Sequence, residues 1–214
     1  MARWEPDSRG RLERAAIALF GERGFENTTV VEIAARAGLT ERTFFRYFAD
    51  KREVLFWGAG ALRELLVSAV TGAPASVAPI DAVVAALEAA GGVLQERREA
   101  ARERQVIIVS NAELRERELI KLSLLSAALA DALRRRGVAD TAASLTADTG
   151  IAIFSAAFQA WVKETERREF PQVIRDTFDE LRAVTSGAGT RGTSDMPTTV
   201  IRSSSPGKSH ASRV

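Results

Sequence analysis

The chain has no cysteine, and its single histidine is His210, close to the end of the sequence. These two gaps exclude disulfides, thiol nucleophiles and thiolate metal sites, and they leave no histidine-based catalytic or metal cluster. No run of eighteen apolar residues occurs, so no transmembrane helix is expected. The opening Met1–Pro6 segment lacks the apolar core of a secretory signal, and a cytoplasmic location is the expectation. A surplus of one charge sign is also missing, with a net charge of +2 over 214 residues. Within residues 1–50 eight arginines stand against six glutamates and two aspartates. Bulk charge therefore gives no reason to expect nucleic-acid binding, and only the placement of charge could do so.

What is present is helix. The apolar fraction is 46%, and apolar residues recur at helical spacing along most of the chain. The expected fold is all-α with about nine helices. It divides into a helix-turn-helix domain over 1–50, a helical bundle over 51–185, and a Gly-, Ser-, Thr- and Pro-rich tail over 186–214 that reads as disordered. Residues 1–8 read as a polar arm. No internal repeat is visible, and no cofactor or metal is implied.

The most informative stretch runs from Thr29 to Phe48. Thr29 and Glu32 form a capping box that opens a short helix. Ile33, Ala34 and Ala37 line one face of it, and Gly38 ends it, since glycine takes the left-handed C′ conformation without steric cost. Leu39 plugs the turn. Thr40 caps a second helix that carries Glu41, Arg42 and Thr43 on its first turn, followed by Phe44, Phe45, Arg46, Tyr47 and Phe48. This pattern predicts a helix-turn-helix whose second helix enters a DNA major groove. Arg42, Thr43, Arg46 and Glu41 are the candidates to read bases, with Thr40 at the head of their helix. Thr28, Thr29 and Tyr47 are the candidates to hold phosphates. Two short amphipathic helices in an ordinary bundle are the alternative.

An amphipathic helix over 9–23, with Leu12, Ala15, Ala16, Leu19 and Phe20 on one face and Gly24 as its stop, precedes the motif. Asp50 and Glu53 make a second box, opening one long helix from 51 to about 70. After the breaker-rich 71–79 segment a helix over 80–97 is expected, with a possible break at Gly91-Gly92. The β-prone Val106–Val109 run reads as buried helix. Asn111 caps a helix over 112–136, whose closing Arg134–Arg136 run complements the helix dipole or forms a basic patch. Glu113, Glu116 and Glu118 read as a solvated face. Two further helices are expected, from 140 to about 165 and over 171–185, with Pro171 at N1.

With these residues in place, positions 11–56 resemble the DNA-binding domain of TetR-type transcriptional regulators. The matching residues are Leu19-Phe20 with Gly24-Phe25, Thr28-Thr29-Val30, Glu32-Ile33-Ala34, Ala37-Gly38-Leu39, and Thr43 to Phe48 with Lys51. The likeness covers roughly the first quarter of the chain. Phe44-Phe45 departs from it, since the family more often has Leu-Tyr there, and Phe45 has no hydroxyl to offer a phosphate. The resemblance implies that Lys51 reaches the DNA backbone. It also implies a homodimer built on the last two long helices, and a C-terminal pocket for a small-molecule effector.

The expected function is thus a ligand-responsive regulator, with repression the favoured sign. As a dimer it would bind a palindromic double-stranded operator, with half-sites roughly 34–36 Å apart or a multiple of that. A mostly apolar molecule would release it, with Trp57, Leu62, Phe154 and Phe158 as candidate pocket wall. Phe154, Phe158, Trp161 and Phe178 are candidates for the dimer face, and the protomer's own core is their alternative place. The rival functions are a helical interaction module without sequence-specific DNA binding and a bundle-based enzyme.

Overall fold

The structure, a computed structural model, describes residues 7–163 and 168–187. Among them lie ten helical segments and no strand. They are α1 (Ser8–Arg23), α2 (Val30–Arg36), α3 (Glu41–Tyr47), α4 (Glu53–Phe56), α5 (Ala59–Gly72), α6 (Pro79–Gln95), α7 (Arg98–Ser110), α8 (Ala112–Arg135), α9 (Asp140–Lys163) and α10 (Phe170–Thr185). Of the expected N-terminal arm, Asp7 is the N-cap of α1 and Ser8 its first residue, while 1–6 lie outside the described residues. So do 188–214 of the expected tail.

The expected long helix over 51–70 is two helices, broken at Trp57-Gly58. Gly58 and Gly60 weaken the helix there by about 1 kcal/mol each relative to alanine. Arg104 supplies the second cause. Its Nε donates to the Leu55 carbonyl at 2.6 Å, the acceptor that Ala59 would use in an unbroken helix. The Val106–Val109 run is helical, but only Ile107 and Ile108 are buried, while Val106 and Val109 are exposed on the opposite face. Asn111 caps α8 by accepting from the Leu114 amide at 3.0 Å. Helix α6 passes through Gly91 without a break. Gly91 is buried against α10, where an added Cβ would come within 2.9 Å of Ile174 Cδ1.

Two cores organise the fold. Leu12, Leu19, Phe20, Ile33, Phe44 and Phe48 close the N-terminal one. Val54, Leu55 and Phe56 from α4 and Ile107, Ile108 and Leu114 from α7 and α8 also join it. Packing therefore continues across position 50. The larger core gathers α5, α6, α8, α9 and α10 around Leu87, Leu129, Trp161 and Phe170, the last two rings stacked at 4.5 Å. Each such large side chain contributes roughly 1.5–3 kcal/mol by leaving water.

Two stretches, Glu53–Gly72 and Asp140–Lys163, are long and apolar enough to cross a bilayer by length and composition alone, which the core helices of a folded bundle also are. The first is interrupted at Gly58, and the second places Ile153, Phe154 and Trp161 in the bundle core.

Candidate nucleic-acid interface and cavity

The motif is built by local hydrogen bonds. Thr29 Oγ1 accepts from the Glu32 amide at 3.2 Å, and the Glu32 carboxylate accepts from the Thr29 amide at 2.9 Å. That carboxylate is held below its usual range, chiefly by the Thr29 backbone bond. At the turn, Gly38 has φ 65, and an added Cβ would lie 2.8 Å from an Arg11 terminal nitrogen. The same Arg11 nitrogen donates to the Ala37 carbonyl and closes the C-terminus of α2. Thr40 Oγ1 then accepts from the Thr43 amide at 3.2 Å and starts α3. Buried Ile33, Ala34 and Phe44 lock the two helices together.

Helix α3 therefore presents an outward face. Glu41 and Arg42 are exposed, and neither side chain has a hydrogen bond or ion pair among the described residues. Thr43 is half-buried, with its hydroxyl 2.9 Å from that of Thr40. Arg46 is exposed, stacks 4.9 Å from the Tyr47 ring centroid and donates to the Tyr47 hydroxyl at 3.1 Å. Phe45 is 52% exposed on the same helix, a surface aromatic that the sequence marked only as a departure.

Two expected phosphate ligands are engaged elsewhere. Thr28 is 1% exposed, and its hydroxyl donates to the Gly24 carbonyl at 2.9 Å, with the Leu19 carbonyl at 3.3 Å. Its side chain is a staple between α1 and the motif, not a phosphate ligand. Lys51 Nζ donates to the carbonyls of Phe25 at 2.8 Å and Thr28 at 3.2 Å, and lies 4.2 Å from the Phe25 ring centroid. It gathers the orphan carbonyls after α1. Thr29 remains exposed, but the Glu32 carboxylate already occupies the amide end of α2.

Beyond the reading head, Trp57, Leu62, Phe154 and Phe158 all line one cavity of about 150 Å³, together with Leu55, Phe56 and Leu94. Three of the four residues considered for a dimer face lie inside the protomer instead. Trp161 is 0% exposed, Phe154 6% and Phe178 8%. The remaining one, Phe158, is half-buried beside Phe154, Trp161 and Phe170. The apolar stripe that suggested an interface is the one that packs α9 and α10 into their own core.

The cavity also has a polar wall that sequence reasoning missed. Glu118 is not on a solvated face. Its side chain is 18% exposed and bridges Arg104 at 2.7 Å and Lys121 at 2.5 Å. Burial, and then Arg104, push the Lys121 ammonium down to about 8, although Glu118 opposes them. Burial alone would raise the Glu118 carboxyl, but Arg104 and Lys121 outweigh it and hold it below its usual range. The i,i+3 spacing of Glu118 and Lys121 was the only signal in the sequence, and it is shared with ordinary surface pairs.

Cavity and reading head are joined directly. Arg97 and Trp57, both in the cavity wall, lie 5.9 Å apart, cation to ring centroid. Arg9 of α1 lies 5.2 Å from the Trp57 centroid and 5.5 Å from that of Tyr47, which Arg46 covers from the recognition helix. Arg97 also pairs with Glu13 at 2.8 Å. Arg52 pairs with Glu113, and Arg117 with Glu53, across the same boundary.

A three-helix head with an outward recognition helix, fastened to a helical bundle with a cavity beside the junction, defines a helix-turn-helix DNA-binding regulator. Residues 13–56 match the model of the bacterial regulatory proteins of the tetR family, and residues 77–186 match that of the MftR C-terminal domain. The chain belongs to the TetR family of transcriptional regulators, which are DNA-binding regulators and not enzymes. It is 39% identical over 85 residues to the HTH-type transcriptional regulator TcmR of Streptomyces glaucescens, a match spanning 40% of this chain and 38% of that protein. Its fold is similar to that of the fatty acid degradation regulator FadR from Bacillus halodurans (TM-score 0.59, 17% identity, 84% of this chain and 96% of that one). It is also similar to Thermus thermophilus FadR in complex with lauroyl-CoA (TM-score 0.52, 22% identity, 94% and 100%). A third likeness is to SmeT in its triclosan complex (TM-score 0.59, 22% identity, 80% and 90%).

Proposed function

We propose that this protein is a cytoplasmic, homodimeric repressor that binds a palindromic operator through α3 and is released by a small molecule with a largely apolar body. Residues 1–50 serve as the reading head, and the bundle to residue 185 serves sensing and dimerisation. One observation carries the reading: the cavity wall includes Leu55, Phe56 and Trp57, the segment that leaves the reading head. A molecule filling that cavity bears on the residues that set the head's position. It shifts the balance of head positions by its differential affinity for them. Arg42, Arg46, Glu41 and Thr43 read bases, and Phe45 adds an apolar contact suited to a thymine methyl group. Thr29, Thr40 and Tyr47 stand at the edges of this face, where phosphates pass.

A single head buries too little surface for selective binding, and two-fold symmetry doubles it. With Phe154, Trp161 and Phe178 inside the core, the dimer face falls on the outer sides of α9 and α10, which expose Leu145, Ala152, Ala156 and Val184. Among the relatives, the Thermus thermophilus protein is described as a repressor and in complex with lauroyl-CoA, which carries an apolar acyl chain, and SmeT is described in complex with triclosan. The test is selection of duplexes from a random pool by the purified protein, followed by a release screen on the recovered site. A palindrome whose complex dissociates with an apolar compound supports the proposal. Binding that is blind to sequence, or a recovered site with no two-fold symmetry, would overturn it.

A further inference from the structure

The first cavity does not end at its apolar wall. Beside it lies a second cavity of about 320 Å³ between α4, α5 and α8, and the two share Phe56, Trp57, Ala59 and Lys121. Lys121 thus stands at their junction. On one side are the rings of Phe56, Trp57, Phe154 and Phe158, with Phe154 and Phe158 stacked at 6.0 Å. On the other side the wall stays largely apolar, with Ile120, Leu124 and Leu125, and carries Arg63 and Arg117 beside Glu53.

Charge in this region is not balanced. Three carboxylates line the two cavities, Glu13, Glu53 and Glu118, against five cations. Arg63 is exposed to solvent, Arg97 takes Glu13, and Arg117 takes Glu53. Arg104 and Lys121 are left to share Glu118, although their side chains are only 17% and 15% exposed. A buried cation with half a counter-charge is costly, and an incoming anion would complete its pairing. A neutral apolar ligand would seal the surplus charge further from water and gain nothing from it.

We propose that the effector is a small aromatic acid, whose ring lies among Phe56, Trp57, Phe154 and Phe158 and whose ionised acid group pairs with Lys121. This inference rests on the reading of the cavity as the effector site. The volume suits a ring system, since a cavity of roughly 150 Å³ accepts benzene. Walls made of rings favour a flat aromatic body through offset and edge contacts. The acid group then faces the second cavity, where a larger substituent has room. Its pairing draws Lys121 from Glu118, and Glu118 is the carboxylate that holds the Arg104 guanidinium against the Leu55 carbonyl. Binding is thereby felt at the break between α4 and α5.

The probes are 2-naphthoate and its neutral partner 2-naphthylmethanol, titrated calorimetrically at pH 7 into the full-length protein. The wild type is expected to bind the acid about tenfold or more tightly than the alcohol, the scale of a charge-assisted hydrogen bond. Lys121→Met keeps the volume and removes the charge. It is expected to abolish the preference, and Lys121→Arg is expected to restore it. Circular dichroism checks that each variant is folded, and should Lys121→Met fail to fold, Lys121→Gln removes the charge in its place. Equal binding of acid and alcohol by the wild type would overturn the acid proposal and leave the cavity reading standing. Binding of neither compound at millimolar concentration would remove both. A preference that survives in Lys121→Met would place the anion elsewhere and defeat the assignment.

Discussion

The guanidinium carbon of Arg9 lies 5.2 Å from the ring centroid of Trp57. One of these residues opens the first helix of the reading head, and the other lines the cavity. A cation over an aromatic face in a partly exposed setting is worth roughly 0.5–1 kcal/mol. The double-mutant cycle of Arg9→Ala and Trp57→Leu, read by urea unfolding, is expected to show a coupling of about that size. Additive effects would mean that the stacking is geometric only. A real coupling ties the head's orientation to a residue that a ligand touches.

Lys51 gives a prediction in which the structure and the family resemblance part company. As a phosphate ligand, Lys51→Ala would weaken every DNA sequence alike and flatten the salt slope by about one. With its ammonium on the carbonyls of Phe25 and Thr28, the variant is instead expected to lose about 1–3 kcal/mol of stability. The slope of log affinity against log salt should then stay as in the wild type. Measuring both quantities on one preparation separates the roles. Arg42→Ala is the contrasting case. Its exposed, unpaired side chain predicts unchanged stability, a loss of about 1–3 kcal/mol in binding and relaxed preference at one base pair.

Much of this was legible beforehand because the signals are local. The capping box of Thr29 and Glu32, the turn at Gly38 and the cap at Thr40 each depend on residues within three or four positions, and all form. The same locality misled at Thr28. A threonine before a helix looks like a phosphate ligand until the Gly24 and Leu19 carbonyls are seen to take its hydroxyl. The break in the helix after Phe56 has a local signal in Gly58 and Gly60, but its second cause, Arg104, stands 49 positions from its acceptor Leu55, and no local pattern carries that. Core and interface also look alike in a sequence. An apolar stripe shows that a face is covered but not by what, which is why Trp161 and Phe178 were open to either place.

Gly150 tests how tightly the bundle is packed. It is buried on α9, and a Cβ there would come within 2.4 Å of Val83 Cγ1 on α6. Helix propensity favours Gly150→Ala by about 1 kcal/mol, but the β-branched Val83 side chain has little freedom to retreat. Overpacking of this kind costs roughly 1–3 kcal/mol, so a net loss of stability is expected. Combining it with Val83→Ala should recover part of that loss, so that the double variant is more stable than the sum of the two single effects. Simple additivity in thermal unfolding would show that α9 shifts away from α6 to make room.

The cluster at the cavity also sets a pH dependence. Lys121 titrates at about 8 in the fold against an ordinary value of 10.5, with burial as the main cause and Arg104 as the next. Below pH 8 the ammonium is charged in both folded and unfolded chains, and its cost to the fold is present in full. Between about 8 and 10.5 the unfolded chain holds the proton and the folded chain has lost it, so stability rises with pH through this window. Relative to Lys121→Met, the wild type is therefore expected to gain about 2–4 kcal/mol as pH rises from 7 to 10.5, the scale that such a shift represents. Comparing the two proteins removes contributions from other groups that titrate over the same range. An anion paired with Lys121 favours its charged form, so a bound acid should move this window upward. Its own affinity should fall as pH passes 8. A stability difference flat from pH 7 to 10.5 would mean that water reaches Lys121 freely, and the cavity would then be too wet to select an acid through a single buried charge.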